Sequence, residues 1–264
     1  MHGIKLLFLL ILCSASSVFC CAQDSPPGFD NNVNDGGRRL KGDAATIKII
    51  IETAFNTSNL DIVNGRYITG HGDTITVSLF KFYITNFALN AGQNNGTAVT
   101  ARNNHLFDMD DSASAQFEVA AKAGLYNSLS FNIGVDSIDN TAGALAGDLD
   151  PAKGMYWAWN TGYIMAKLEG NSSWCPTLHH AFEYHIGGYL PPYNAVRKIN
   201  LPLPAPLNIQ PHRQVTIRIR ANLAAWFGTD VDVATTNSIV IPGKEACNMA
   251  DRYARMFTIT GVEQ

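Results

Sequence analysis

The stretch DTITVSLFKFYITNFAL, residues 73–89, decides the fold. Thr, Val, Ile, Phe and Tyr crowd it, and such a run with no helical period reads as one long β-strand. Working outward, Asn64-Gly65 and Gly70-His71-Gly72-Asp73 supply turn chemistry before it, and residues 90–96 form another turn cluster after it. Further strands are predicted over 46–55, 98–107, 128–135, 155–168, 180–190, 196–201, 214–222 and 255–260. Only 245–256 and a few residues within 118–126 read as short helices. The prolines of Leu201-Pro202-Leu203-Pro204-Ala205-Pro206 cannot donate ladder hydrogen bonds, which places them at an edge crossing or in an ordered loop. Many closely spaced strands without an internal repeat predict an all-β fold, an antiparallel β-sandwich with Greek-key-like connections and one or two short helices.

Composition bounds the function. The chain has 264 residues, 46% hydrophobic and 16% charged, enough apolar material for a substantial core. A net charge of -3 with no dense Lys/Arg block leaves no footprint for nucleic acid or for an acidic membrane surface. Polyanions are therefore excluded as the expected partner.

The first residues carry one lysine, an apolar run from Leu6 to Leu12 and small residues up to Ala22, the pattern of a secretory signal peptide over 1–22. The apolar run falls short of the about 20 residues a transmembrane helix needs, so no transmembrane segment is expected. Lipid attachment at Cys20 or Cys21 fits less well than plain secretion, because Phe19 or Cys20 would precede it where a small residue is required. Residues 23–45 are polar and rich in Gly, Asn and Asp, a flexible leader, and the folded domain is expected over 46–264. Secreted or periplasmic localisation follows. Cleavage after Ala22 would remove three cysteines and leave Cys175 and Cys247, and in an oxidising compartment such a pair most often closes into a disulfide.

Signatures of hydrolases, zinc proteases and nucleotide enzymes are absent: no G-x-S-x-G, H-E-x-x-H, G-x-x-x-x-G-K or C-x-x-C occurs. The expectation is a protein without catalytic turnover. Asp108, Asp110 and Asp111 lack the spacing of a calcium loop. The most unusual stretch runs Gly154-Met155-Tyr156-Trp157-Ala158-Trp159-Asn160-Thr161-Gly162-Tyr163. On one continuous strand Met155, Trp157, Trp159, Thr161 and Tyr163 would share a face, either as sandwich core or as a redox-accessible aromatic pair near a metal. His179, His180 and His185 follow closely, and on an extended segment Glu183 and His185 share a face. Imidazole suits copper and zinc, and a neighbouring carboxylate orients a ligating ring; the plain alternative is a hydrogen-bonded structural histidine.

Four segments taken in order resemble the MbnP-like family: Phe80-Lys81-Phe82-Tyr83-Ile84-Thr85-Asn86, Leu129-Ser130-Phe131-Asn132-Ile133-Gly134-Val135-Asp136, the block from Leu149 through Ile164, and Tyr184-His185-Ile186-Gly187-Gly188. The G-M-x-W-x-W-x-x-G-Y block is the most specific part. The resemblance implies an exported β-sandwich that binds copper, known from methanobactin gene clusters, in which some members carry a tryptophan oxidised to kynurenine by a di-haem peroxidase-like partner. By position it implies Trp157 or Trp159 as the oxidised residue and His185 as a copper ligand, with His180, then His71 and His105, available as a second imidazole. The expected function is copper capture or delivery. The rival is a secreted interaction or adhesion module whose aromatic strand is core and which holds no metal.

Overall fold

Alternation builds the strands. In the first, Ala45, Ile47, Ile49 and Ile51 are buried while the intervening residues are partly exposed, so one face is apolar and the other meets solvent. The computed structural model describes residues 44–91, 98–99, 104–160 and 162–264. The signal peptide and nearly all of the leader expected from the sequence lie outside the described residues, as does Thr161.

In chain order the strands are β1 Ala44–Phe55, β2 Ser58–Asn59, β3 Tyr67–Ile68, β4 Thr74–Asn90 and β5 Ala98–Val99. They continue with β6 Asn104–Asp108, β7 Gln116–Lys122, β8 Gly124–Ile133, β9 Tyr156–Trp157 and β10 Gly162–Asn171. The remainder are β11 Ala181–Gly187, β12 Arg197–Ile209, β13 Gln214–Asn222, β14 Ser238–Ile239 and β15 Phe257–Glu263. Three helices join them: α1 Ser137–Thr141, α2 Ala224–Phe227 and α3 Lys244–Tyr253.

One sheet runs β15-β13-β1-β2 with β7 also on β1; the larger runs β12-β8-β4-β10-β11-β14, with β3, β5 and β6 on β4 and β9 on β10. Neighbours distant in sequence give the Greek-key-like crossovers of a sandwich. Most pairings are antiparallel; β1 with β13 and β11 with β14 are parallel. Rings from the two sheets interlock between them: Phe257 of β15 meets Phe82 of β4 at 5.6 Å and Phe131 of β8 at 5.2 Å. Residues 82–85 of β4 are all buried, because this central strand is covered on its outer face too, where the Tyr83 phenol donates to the carbonyl of Asp148.

Three expectations are corrected. Residues 118–126 are strand, not helix: Val119 and Ala121 alternate as buried positions, and β7 pairs antiparallel with β1. Residues 155–168 do not form one strand; Tyr156 and Trp157 fold back on Tyr163 and Gly162 as a hairpin. The third correction is the disulfide. Cys175 and Cys247 are both free thiols, one donating to the carbonyl of Val233 and the other to that of Asn194. They sit on separate elements, the turn after β10 and helix α3, and each already has its own acceptor. The proline cluster lies in β12, an edge strand of the larger sheet, and the ladder is irregular between Pro202 and Leu207.

Candidate functional site

The hairpin β9–β10 brings the two indoles of the unusual stretch together. Trp157 ends β9 opposite Gly162, Trp159 lies in the turn that follows, and their ring centroids are 5.5 Å apart at 43°. Trp157 is 7% exposed and Trp159 64%. They do not line one strand face; the turn folds the second ring toward the first. The hairpin is fixed from beneath, since the Tyr163 amide donates to Asn140 Oδ1 at 2.8 Å and its phenol donates to the carbonyl of Leu149 at 2.9 Å. Buried Asn140 in turn donates to the carbonyl of Val135 at 2.6 Å, which ties the hairpin to the end of β8.

Trp157 packs on β11. A Cβ built on Gly187 would lie 2.3 Å from an indole carbon of Trp157, so only glycine admits the ring there. Alternate residues share a face of a strand, about 6.6 Å apart, which makes Gly187 the same-face neighbour of His185. Phe182, Tyr184 and Ile186 take the opposite, core face. Trp157 therefore lies on the face of β11 that carries His185, two residues further along, while the His185 ring leans the other way, onto Glu169 opposite Glu183.

His185 Nε2 lies 2.8 Å from Glu169 Oε1, and Lys167 Nζ lies 3.1 Å from the same oxygen. Burial lowers the His185 pKa from its ordinary value, outweighing the opposing pull of Glu169, which favours the neutral ring. Burial pushes Glu169 up, but the hydrogen bond from His185 and the charge of Lys167 outweigh it and the net shift is down. A neutral imidazole donating from Nε2 to an ionised carboxylate keeps Nδ1 as its basic nitrogen, the arrangement that carboxylate-oriented metal ligands use.

Among the described residues, His180, His105 and His71 have other surroundings. His180 stands just before β11, its Nδ1 2.9 Å from the carbonyl of Cys175. It is five residues from His185, so along an extended chain the two are roughly 16 Å apart. The structure does not bring them together. His105 is engaged on both ring nitrogens, with the carbonyl of Ser114 at 2.7 Å and Asp148 at 3.5 Å, and its ring packs 4.3 Å from that of Phe117. His71 lies beside Asp73 and Asp232 at the His180 end. Sequence reasoning missed Glu169, Gly187, Asp73 and Asp232 as parts of these sites. Gly187 was within reach as the glycine following His185-Ile186, whereas the carboxylates meet their histidines only through the fold.

A two-sheet sandwich carrying an indole hairpin packed against a histidine-bearing strand defines the class: a β-sandwich protein with an aromatic hairpin laid on its larger sheet. The chain belongs to the MbnP family, whose family model matches residues 44–248, a span that includes the hairpin, Glu169, His185 and Gly187. Among solved structures it is similar to MbnP from Methylosinus trichosporium, at 15% sequence identity and a TM-score of 0.48, over 70% of this chain and 78% of that one. No curated protein matches it. Among the described residues no helix is long and apolar enough to cross a membrane.

Proposed function

We propose that this MbnP-family protein is an exported copper-binding protein that captures or delivers the ion and has no turnover of its own. Copper is its cargo, received on the face of β11 that carries His185 and on which Trp157 is seated. The observation that carries the reading is the seating of Trp157 on Gly187, one same-face position from a neutral, carboxylate-oriented histidine.

The donor chemistry supports it and also limits it. Among the described residues, His, Cys, Asp and Glu side chains form no three-donor group around His185, so the imidazole needs completion from another source. Oxidative opening of an indole by two equivalents of peroxide, reduced to water at the partner enzyme, cleaves the C2–C3 bond to give the N-formyl ring-opened side chain; hydrolysis then releases C2 as formate and exposes the aniline nitrogen of kynurenine, a borderline donor suited to copper beside imidazole. This reading assigns the donor to Trp157, which packs on the strand of His185. Exposed Trp159 is the ring a di-haem peroxidase-like partner would approach. Membership of the MbnP family does not favour the metal-free adhesion module.

Equilibrium copper titration of protein matured in its own host tests the proposal. One copper per chain should bind, and His185→Ala should weaken that binding at least tenfold, about 1.4 kcal/mol. Unchanged binding in His185→Ala, with His185→Gln as a second check on folding, would overturn the ligand assignment.

A further inference from the structure

At the other end of the β10–β11 pair two loops close on each other. The turn before β4 is held by Thr69, whose amide donates to the Asp73 carbonyl at 2.9 Å and whose hydroxyl accepts from the Asp73 amide at 3.1 Å. It presses on the loop after α2: a Cβ on Gly70 would lie 2.1 Å from the carbonyl oxygen of Gly228. The Val233 amide then donates to Asp73 Oδ2 at 3.2 Å.

This closure gathers three donors. A ring nitrogen of His71 and one carboxylate oxygen each of Asp73 and Asp232 all lie within 4.8 Å of one another. The Asp73 side chain is 6% exposed, and His71 Nδ1 stands 3.2 Å from it. Among the described residues neither carboxylate is paired with a lysine or arginine, which leaves two adjoining negative charges faced by one imidazole. Asp232 also accepts from the Ala234 amide at 2.8 Å, so its carboxylate is oriented rather than free to swing away.

We propose that His71, Asp73 and Asp232 bind one divalent cation of the zinc class, at a site separate from the copper face. One nitrogen and two carboxylate oxygens, with no thiolate, are a donor set that Zn²⁺ accepts at about 2.0–2.2 Å, keeping a fourth position for water. Donors on a tetrahedral ion stand roughly 3.4 Å apart; His71 and Asp73 are already at 3.2 Å, and small side-chain rotations would draw Asp232 in. The cation would neutralise the carboxylate pair and tie the two loops together. Cys175, whose thiol reaches Val233, precedes β11, and Gly187 ends that strand roughly 20 Å further along, so the two sites cannot share an ion.

Zn²⁺ titration of the His185→Ala protein tests this independently of the copper reading, because the proposed copper ligand is absent. One Zn²⁺ should bind and raise the thermal midpoint. Adding His71→Ala, an exposed position, or Asp232→Asn, which keeps the acceptor for Ala234, should weaken binding at least tenfold and abolish the thermal shift. No Zn²⁺ binding to His185→Ala, or equal binding after both further substitutions, would overturn the proposal.

Discussion

Trp157 and Gly187 meet ring to backbone, so closely that a methyl group on Gly187 would fall 2.3 Å from an indole carbon. That contact holds the hairpin of β9 and β10 against the strand of His185.

Gly187→Ala should therefore displace the Trp157 ring. The backbone at 187 needs no left-handed conformation, so the cost is steric, on the order of 1–3 kcal/mol for overpacking. Trp fluorescence should shift toward the exposed range and copper affinity should fall while the far-ultraviolet circular dichroism stays that of the parent. A normal fluorescence spectrum in Gly187→Ala would show that the contact does not fix the ring.

Buried phenols set an upper pH limit. Burial raises the pKa values of Tyr83, Tyr184 and Tyr253 well above the ordinary 10.0, and each phenol donates to a backbone carbonyl. Their folded pKa values exceed the unfolded one, so stability is fully present below about pH 10 and is lost as pH rises beyond it. Three such groups give a slope of up to about 4 kcal/mol per pH unit. Urea unfolding between pH 9 and pH 11 should show a steep fall above 10, made shallower in Tyr83→Phe by up to about 1.4 kcal/mol per pH unit, the share of one phenol. A flat profile would contradict the burial of these hydroxyls.

The thiols give a plain result. A native disulfide contributes about 2–5 kcal/mol, so its absence predicts that a reductant leaves the thermal midpoint unchanged. Alkylation of the unfolded chain without reductant should label both Cys175 and Cys247. Labelling of neither would mean that the pair closes.

Much of the sandwich is legible in the sequence because its strands alternate. Ile47, Ile49 and Ile51, like Val215, Ile217 and Ile219, mark one face each without knowledge of their partners. Residues 118–126 mislead because Val119-Ala120-Ala121-Lys122-Ala123 has good local helix propensity, which pairing with β1 overrides. The hairpin is hidden because Trp157 and Trp159 are spaced as on a strand, while the reversal lies in an unremarkable turn. His185 is readable as a ligand candidate, but its partner Glu169 belongs to a neighbouring strand, and Trp157, seated on Gly187, belongs to a hairpin. Asp232 comes to His71 through loop closure alone, and no local pattern announces it. Counting alone pairs Cys175 with Cys247, and a count carries no information about distance.

An anomalous-difference map collected at the copper edge, from crystals of protein matured in its own host, tests the central claim most directly. The account predicts a peak within bonding distance of a His185 ring nitrogen and beside the Trp157 side chain, with one indole replaced by its ring-opened form. A copper peak only at His71, or none near His185 with both indoles intact, would contradict it.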